Sequence, residues 1–190
     1  GILSKVKDGN VSVSIYRQER EVRIEDNGQG IPTEEVAARL LNIADSPKDG
    51  ISAAGQFGIG RLVGAGYCRR LVFETSVKGE KIKTRLELDV DFVENVLRDS
   101  GDDSSANELM DAATQLKRSA EKEEAHYFKV FLEDIKPDYD QLLDEELVTD
   151  YLKEVAPIDF SLPFKSRYYN AIEEEYKPYS NGLSYVNISV

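Results

Sequence analysis

The feature that most constrains the fold is a pair of alternating segments that runs straight into a glycine turn. Val11, Val13 and Ile15 alternate with Ser12, Ser14 and Tyr16, and Val22 and Ile24 alternate again after Arg17-Gln18-Glu19-Arg20. A period of two lets a strand bury one face, so the pattern predicts a β-hairpin. Its second strand delivers Asp26 into Asp26-Asn27-Gly28-Gln29-Gly30-Ile31. Pro32 and Thr33 then open a helix, with Glu34 and Glu35 in the first turn, where the helix dipole favours acids. Val36, Ala37, Leu40, Leu41 and Ala44 form its apolar face.

Asp45 to Ala54 reads as a loop, and Arg61 to Cys68 as a short buried helix in which Gly64 and Gly66 permit close packing. Leu71–Val77 and Lys81–Leu88 read as strands around Lys78-Gly79-Glu80, and residues 99–106 as a mobile loop. Leu109, Ala113 and Leu116 are spaced for an exposed helix over 107–122. Tyr127–Leu132 is a strand, and Leu143, Leu147, Val148, Tyr151, Leu152 and Val155 stripe a helix that stops before Pro157. Tyr185–Val190 is again strand-like, an edge strand without an evident partner or the start of another domain. The order predicts an α+β fold, a two-layer sandwich of a mostly antiparallel sheet with helices on one face. Residues 1–165 form one domain with an acidic insertion at 95–124, and 166–190 form a tail, a linker or the start of a following domain.

Two motifs carry chemistry. A buried aspartate in a glycine turn is an acceptor-only partner for an exocyclic amine such as that of adenine, and Gly28 and Gly30 let the backbone come close to a base. The same spacing also describes an ordinary tight turn at a strand end. Gly55-Gln56-Phe57-Gly58-Ile59-Gly60, followed by Arg61-Leu62-Val63, offers a run of bare amides before a helix, which suits anions such as phosphates. It is neither a P-loop nor the dinucleotide fingerprint. Its glycines could equally serve helix packing. Together the two motifs are the halves of an ATP site.

The chain has 190 residues and is 41% hydrophobic, enough for a real core, and its net charge of −12 counts against a general nucleic-acid surface. Much of the acid lies in 99–124 and 133–154, away from the glycine motifs. No apolar run reaches the roughly 20 residues of a membrane span. The lone Cys68 forms no internal disulfide and suits a reducing cytoplasm. The single histidine, His126, has no second ligand beside it, so it predicts no metal site. Glu19, Glu21 and Glu25 read as a solvated hairpin face, and the tyrosines from 168 to 185 as scattered surface.

In this order the motifs resemble the ATP-binding domain of the GHKL superfamily (the Bergerat fold), which includes gyrase B, the ninety-kilodalton heat-shock chaperones, histidine kinases and MutL. Within it the chain looks most like the chaperones. Leu40, Ile43, Ala44 and Ser46 match their Leu-x-x-Ile-Ala-x-Ser pattern, and residues 55–60 differ from their Gly-Gln-Phe-Gly-Val-Gly only at Ile59. The likeness covers about 11–90 and is looser over 127–160.

The resemblance implies that Asp26 accepts from the adenine amine, that Gly28, Gly30 and Ile31 line the base pocket, and that Gly55, Gln56, Phe57, Gly58, Ile59 and Gly60 meet the phosphates. Residues 45–54 would be a lid, short for a chaperone, with Asp45, Ser46 and Lys48 at its base. A basic residue of the chaperone site falls at Asp45. Thr75 and Thr84 are the candidates for the family's strand threonine, and both could equally be plain strand residues. The family's general-base glutamate and Mg²⁺-holding asparagine lie on a helix that would precede Gly1, which implies an N-terminally truncated domain with its catalytic residues outside the chain. The expected ligands are ATP or ADP with Mg²⁺, and the expected partners are proteins or clients. A homodimer is compatible with the intact protein, and neither nucleic acid nor membrane is expected. The alternative is a GHKL nucleotide-binding or scaffold module that does not hydrolyse ATP.

Overall fold

The computed structural model describes residues 9–41, 60–98, 106–156 and 187–190. Its centre is a seven-stranded sheet built from β1 (Asn10–Tyr16), β2 (Glu21–Asp26), β3 (Cys68–Ser76), β4 (Ile82–Asp89), β5 (Thr114–Ala120), β6 (Tyr127–Ile135) and β7 (Asn187–Ser189). The spatial order is β5-β4-β3-β6-β2-β1-β7. Every pairing is antiparallel except that of β1 with β7. The tail strand therefore does have a partner, since Asn10, Val11 and Ser12 lie opposite Asn187, Ile188 and Ser189.

Alternation makes the sheet two-faced. On one face Val13, Val22, Leu71, Phe73, Leu86, Leu88 and Leu132 enter a single core. Four α-helices among the described residues cover it: α1 (Val36–Leu41), α2 (Val90–Arg98), α3 (Ala106–Ala113) and α4 (Glu145–Val155). They contribute Val36 and Leu40, Val90 and Val93, Met110 and Ala113, and Val148 and Leu152 respectively. Each fully buried Leu, Val or Phe contributes about 1.5–3 kcal/mol of transfer free energy. The architecture is thus the expected α+β arrangement of a mostly antiparallel sheet with helices.

The other face is polar. Arg23 and Arg85 stack on the Phe131 ring at 5.4 and 5.0 Å from its centroid, and Arg85 also reaches Glu87 and Glu133 at 2.8 Å. A groove of about 340 Å³ lies here, bounded by Ser12, Ser14, Arg23, Lys129 and Phe131. It opens on the side away from Asp26, whose side chain shares the face of Val22 and Ile24.

Three sequence expectations are corrected. The helix over 107–122 ends at Ala113, and 114–120 is β5, paired along its whole length with β4, Leu116 opposite Leu86. A spacing of three to four residues among Leu109, Ala113 and Leu116 suits a helix. The unpaired edge of β4 offers Thr114–Ala120 a full row of backbone hydrogen bonds, and pairing overrides the weak periodicity. The buried helix over 61–68 is a 3-10 helix over Gly60–Gly66, and Cys68 starts β3. Gly64 does allow close packing, because a Cβ there would sit 3.1 Å from Leu71 Cδ1, whereas Gly66 faces open space. Cys68 remains core, fully buried, and burial pushes its thiol up to about 12. Helix α2 was not anticipated. Asp89 caps it by accepting from Phe92 N at 3.0 Å, and Val90, Val93 and Leu97 stand at helical spacing, so its signal was present in the sequence.

The helix before Pro157 divides into a 3-10 segment, Pro137–Leu143, and α4, whose Asp144 cap accepts from Glu146 N and Leu147 N. Leu147, Tyr151 and Val155 of the expected stripe are exposed, while Val148 and Leu152 pack inward.

Candidate functional site

Asp26 is the last residue of β2, opposite Val11 of β1 and Phe128 of β6. Strand pairing on both sides fixes its backbone, so the carboxylate has a defined position at the end of the sheet. Its Oδ1 accepts from Gly28 N at 2.8 Å, an Asx-type turn. Its Oδ2 accepts from no donor among the described residues. Burial raises the pKa of Asp26, the Gly28 N–H partly opposes that shift, and neighbouring Glu25 adds to it. A half-buried carboxylate with one oxygen committed and one open is suited to accept from a ligand N–H.

The turn that follows is held from outside. Ile31 N donates to Thr75 Oγ1 at 2.8 Å, and Thr75 Oγ1 in turn donates to the Tyr127 carbonyl at 3.0 Å. Gly30 has φ +72°, and a Cβ there would lie 2.1 Å from the Ser76 carbonyl oxygen. Ile31 is buried. Beyond it, Thr33 donates from both N and Oγ1 to Glu80 Oε2, at 3.1 and 2.8 Å, and receives a hydrogen bond from Thr84 Oγ1 at 3.1 Å. On the other side His126 Nδ1 lies 2.9 Å from the Gly28 carbonyl oxygen. The turn 77–81 and the segment 121–126 that supply these partners are tied to each other, through Gly79 N to Glu123 O at 2.7 Å and Glu121 N to Lys81 O at 3.0 Å.

The described structure thus brings Asp26, Gly28, Gly30 and Ile31 into one rigid turn at the ends of β3 and β6. Of the remaining candidates, Asp45, Ser46, Lys48, Gly55, Gln56, Phe57, Gly58 and Ile59 lie outside the described residues, and Gly60 opens the 3-10 helix that leads into β3. Thr75 and Thr84 both touch the turn's neighbourhood. Thr75 holds the turn itself, and among the described residues the Thr84 hydroxyl bonds to Thr33 rather than to the turn. Sequence reading missed Glu80 and His126, which act on residues 47 and 98 positions away. Among the described residues no three His, Cys, Asp or Glu side chains gather to hold a metal ion. Nor is any described helix long and apolar enough to cross a membrane.

The Thr75 hydroxyl bridges a buried and a part-buried backbone group, so Thr75→Val leaves the Ile31 N–H and the Tyr127 carbonyl without it. We expect a loss of about 2–3 kcal/mol in denaturant unfolding, with Thr75→Ser keeping most of the stability. A Thr75→Val protein as stable as the parent would refute the bridging role.

Residues 5–124 match the family model described as histidine kinase-, DNA gyrase B-, and HSP90-like ATPase. No curated protein matches the chain.

Proposed function

Since the chain belongs to the histidine kinase-, DNA gyrase B- and HSP90-like ATPase family, a membership that supports ATP binding, we propose that it is the ATP-binding domain of a heat-shock-chaperone-like ATPase. Asp26 then accepts from the adenine amine through its open oxygen, with Gly28, Gly30 and Ile31 against the base. The amides of residues 55–60 meet the phosphates, and residues 45–54, with Asp45, Ser46 and Lys48, act as a lid whose closure is coupled to partner or client handling. The observation that carries the reading is the Asp26 carboxylate, half-buried at a strand end with one oxygen uncommitted among the described residues, in a turn that Thr75 holds in place. The chaperone-like part rests on Leu40, Ile43, Ala44 and Ser46 and on the near-identity of residues 55–60 to the chaperone motif. Mg²⁺ enters as the counter-ion of the triphosphate.

Titration calorimetry of the intact protein with ATP and Mg²⁺ tests the proposal. Saturable one-to-one binding, competed by ADP, is the expected result. An intact, folded protein that gives no binding heat and no ligand-induced rise in melting temperature would overturn it.

A further inference from the structure

We propose that His126 is a positioning residue for the nucleotide turn, an inference that rests on the reading of Asp26 as the base-binding group. The Gly28 carbonyl oxygen can only accept, so at 2.9 Å the Nδ1 of His126 must carry the proton and donate it. Gly28 is then fixed on both sides. Its N–H is held by Asp26 Oδ1 at 2.8 Å, and its C=O is held by His126. These two groups belong to successive peptide planes, so the two bonds lock both planes that meet at the Gly28 Cα. Glycine is the residue whose planes rotate most freely, and here that freedom would otherwise sit two residues from the carboxylate.

The Asp26 side chain is itself one end of this chain of bonds. A rotated Gly28 N–H would release Oδ1, and the direction of the open Oδ2 would no longer be set. Thr75 fixes the far end of the turn at Ile31, and among the described residues its side chain makes no hydrogen bond to the turn before Gly30. Asn10 of β1 holds Asn27, accepting from its N at 3.2 Å and donating from its own N to Asn27 Oδ1 at 2.8 Å, and His126 is the external side chain that holds Gly28, the residue whose N–H sets the carboxylate. Its own backbone is well placed for this. It precedes β6, between Ala125, whose carbonyl accepts from Ser76 Oγ at 3.4 Å, and Tyr127, whose carbonyl accepts from Thr75 Oγ1. The histidine consequently links the 121–126 segment to the turn that would bind the base.

The test compares His126→Asn with His126→Gln and His126→Ala in the intact protein. An asparagine places its amide nitrogen where Nδ1 stands, whereas a glutamine places its nitrogen where Nε2 stands. Calorimetry with ATP should show affinity within about twofold of the parent for Asn, and a loss of about five- to tenfold for Gln and Ala, the size of one hydrogen bond. Nitrogen-15 spectra of the ring at pH 8.5 should show a protonated Nδ1, against the Nε2–H preference of free histidine. Equal affinity in all three variants, or a bare Nδ1, would overturn the proposal. So would equal loss in Asn, Gln and Ala with parallel loss of melting temperature, which marks a merely structural contact. A parent protein that binds no ATP would instead overturn the site reading, and the positioning role with it, whatever the ring spectrum shows.

Discussion

Gly30→Ala is expected to cost about 3–4 kcal/mol of unfolding free energy and to remove ATP binding at ordinary nucleotide concentrations. Two effects add. The left-handed conformation at φ +72° costs an alanine about 1 kcal/mol. The larger effect is steric, since the new Cβ would stand 2.1 Å from the Ser76 carbonyl oxygen and 2.9 Å from Thr75 Oγ1. The oxygen cannot retreat, because Ser76 ends an interior strand paired with Lys83 on one side and Tyr127 on the other. The turn must lift instead, and the hydrogen bond from Ile31 N to Thr75 breaks as it does. Gly79→Ala is the matched control. It carries the same kind of conformational cost at φ +95° but meets nothing within 4 Å, so about 1 kcal/mol is expected there. Guanidinium unfolding of the three proteins separates the terms. A Gly30→Ala protein within 1 kcal/mol of the Gly79→Ala protein would show that the close approach does not matter.

What was legible in the sequence was local. The hairpin and Asp26 at its end were readable because alternation, a polar turn and a glycine turn all fall within a short stretch of chain, and strand pairing agrees with them. The 114–120 segment was misread for the opposite reason. Its three apolar residues suit either period, and the choice was made by the free edge of β4, which contributes nothing to the sequence around Leu116. The partners of the Asp26 turn were illegible on the same physical ground. Nothing in the composition near Thr75 separates it from Thr84. Only the register, which sets Thr75 opposite Phe128 and Thr84, turns its hydroxyl toward Ile31. His126 gave no signal at all, because a lone histidine before a strand reads the same whether it holds a carbonyl or faces water.

Asp26→Asn should separate binding from folding more cleanly than any other substitution at the site. The pKa of Asp26 is raised in the folded protein, chiefly by burial. The native state therefore binds more protons than the unfolded chain between the ordinary carboxylate value and the raised native one. Stability contributed by this group falls as pH rises through that window, and the penalty of holding the charge is present in full above it. Asparagine carries no such penalty, and its amide oxygen can still accept from Gly28 N. The variant without nucleotide should thus be at least as stable as the parent at pH 7, and its stability should decline less on going from pH 3 to pH 7. Binding should respond in the opposite sense. With the amide oxygen turned to Gly28, the amide nitrogen occupies the place of Oδ2 and sets a donor against the adenine amine, also a donor. A mismatch of that kind in a site shaped for a hydrogen bond should weaken ATP by about 10²–10³-fold. Calorimetry with ATP, beside urea unfolding across that pH range, measures both. If Asp26→Asn binds ATP as the parent does, Asp26 is not the adenine acceptor. If instead it loses stability at pH 7 along with binding, the carboxylate serves the fold of the turn rather than the recognition of a base.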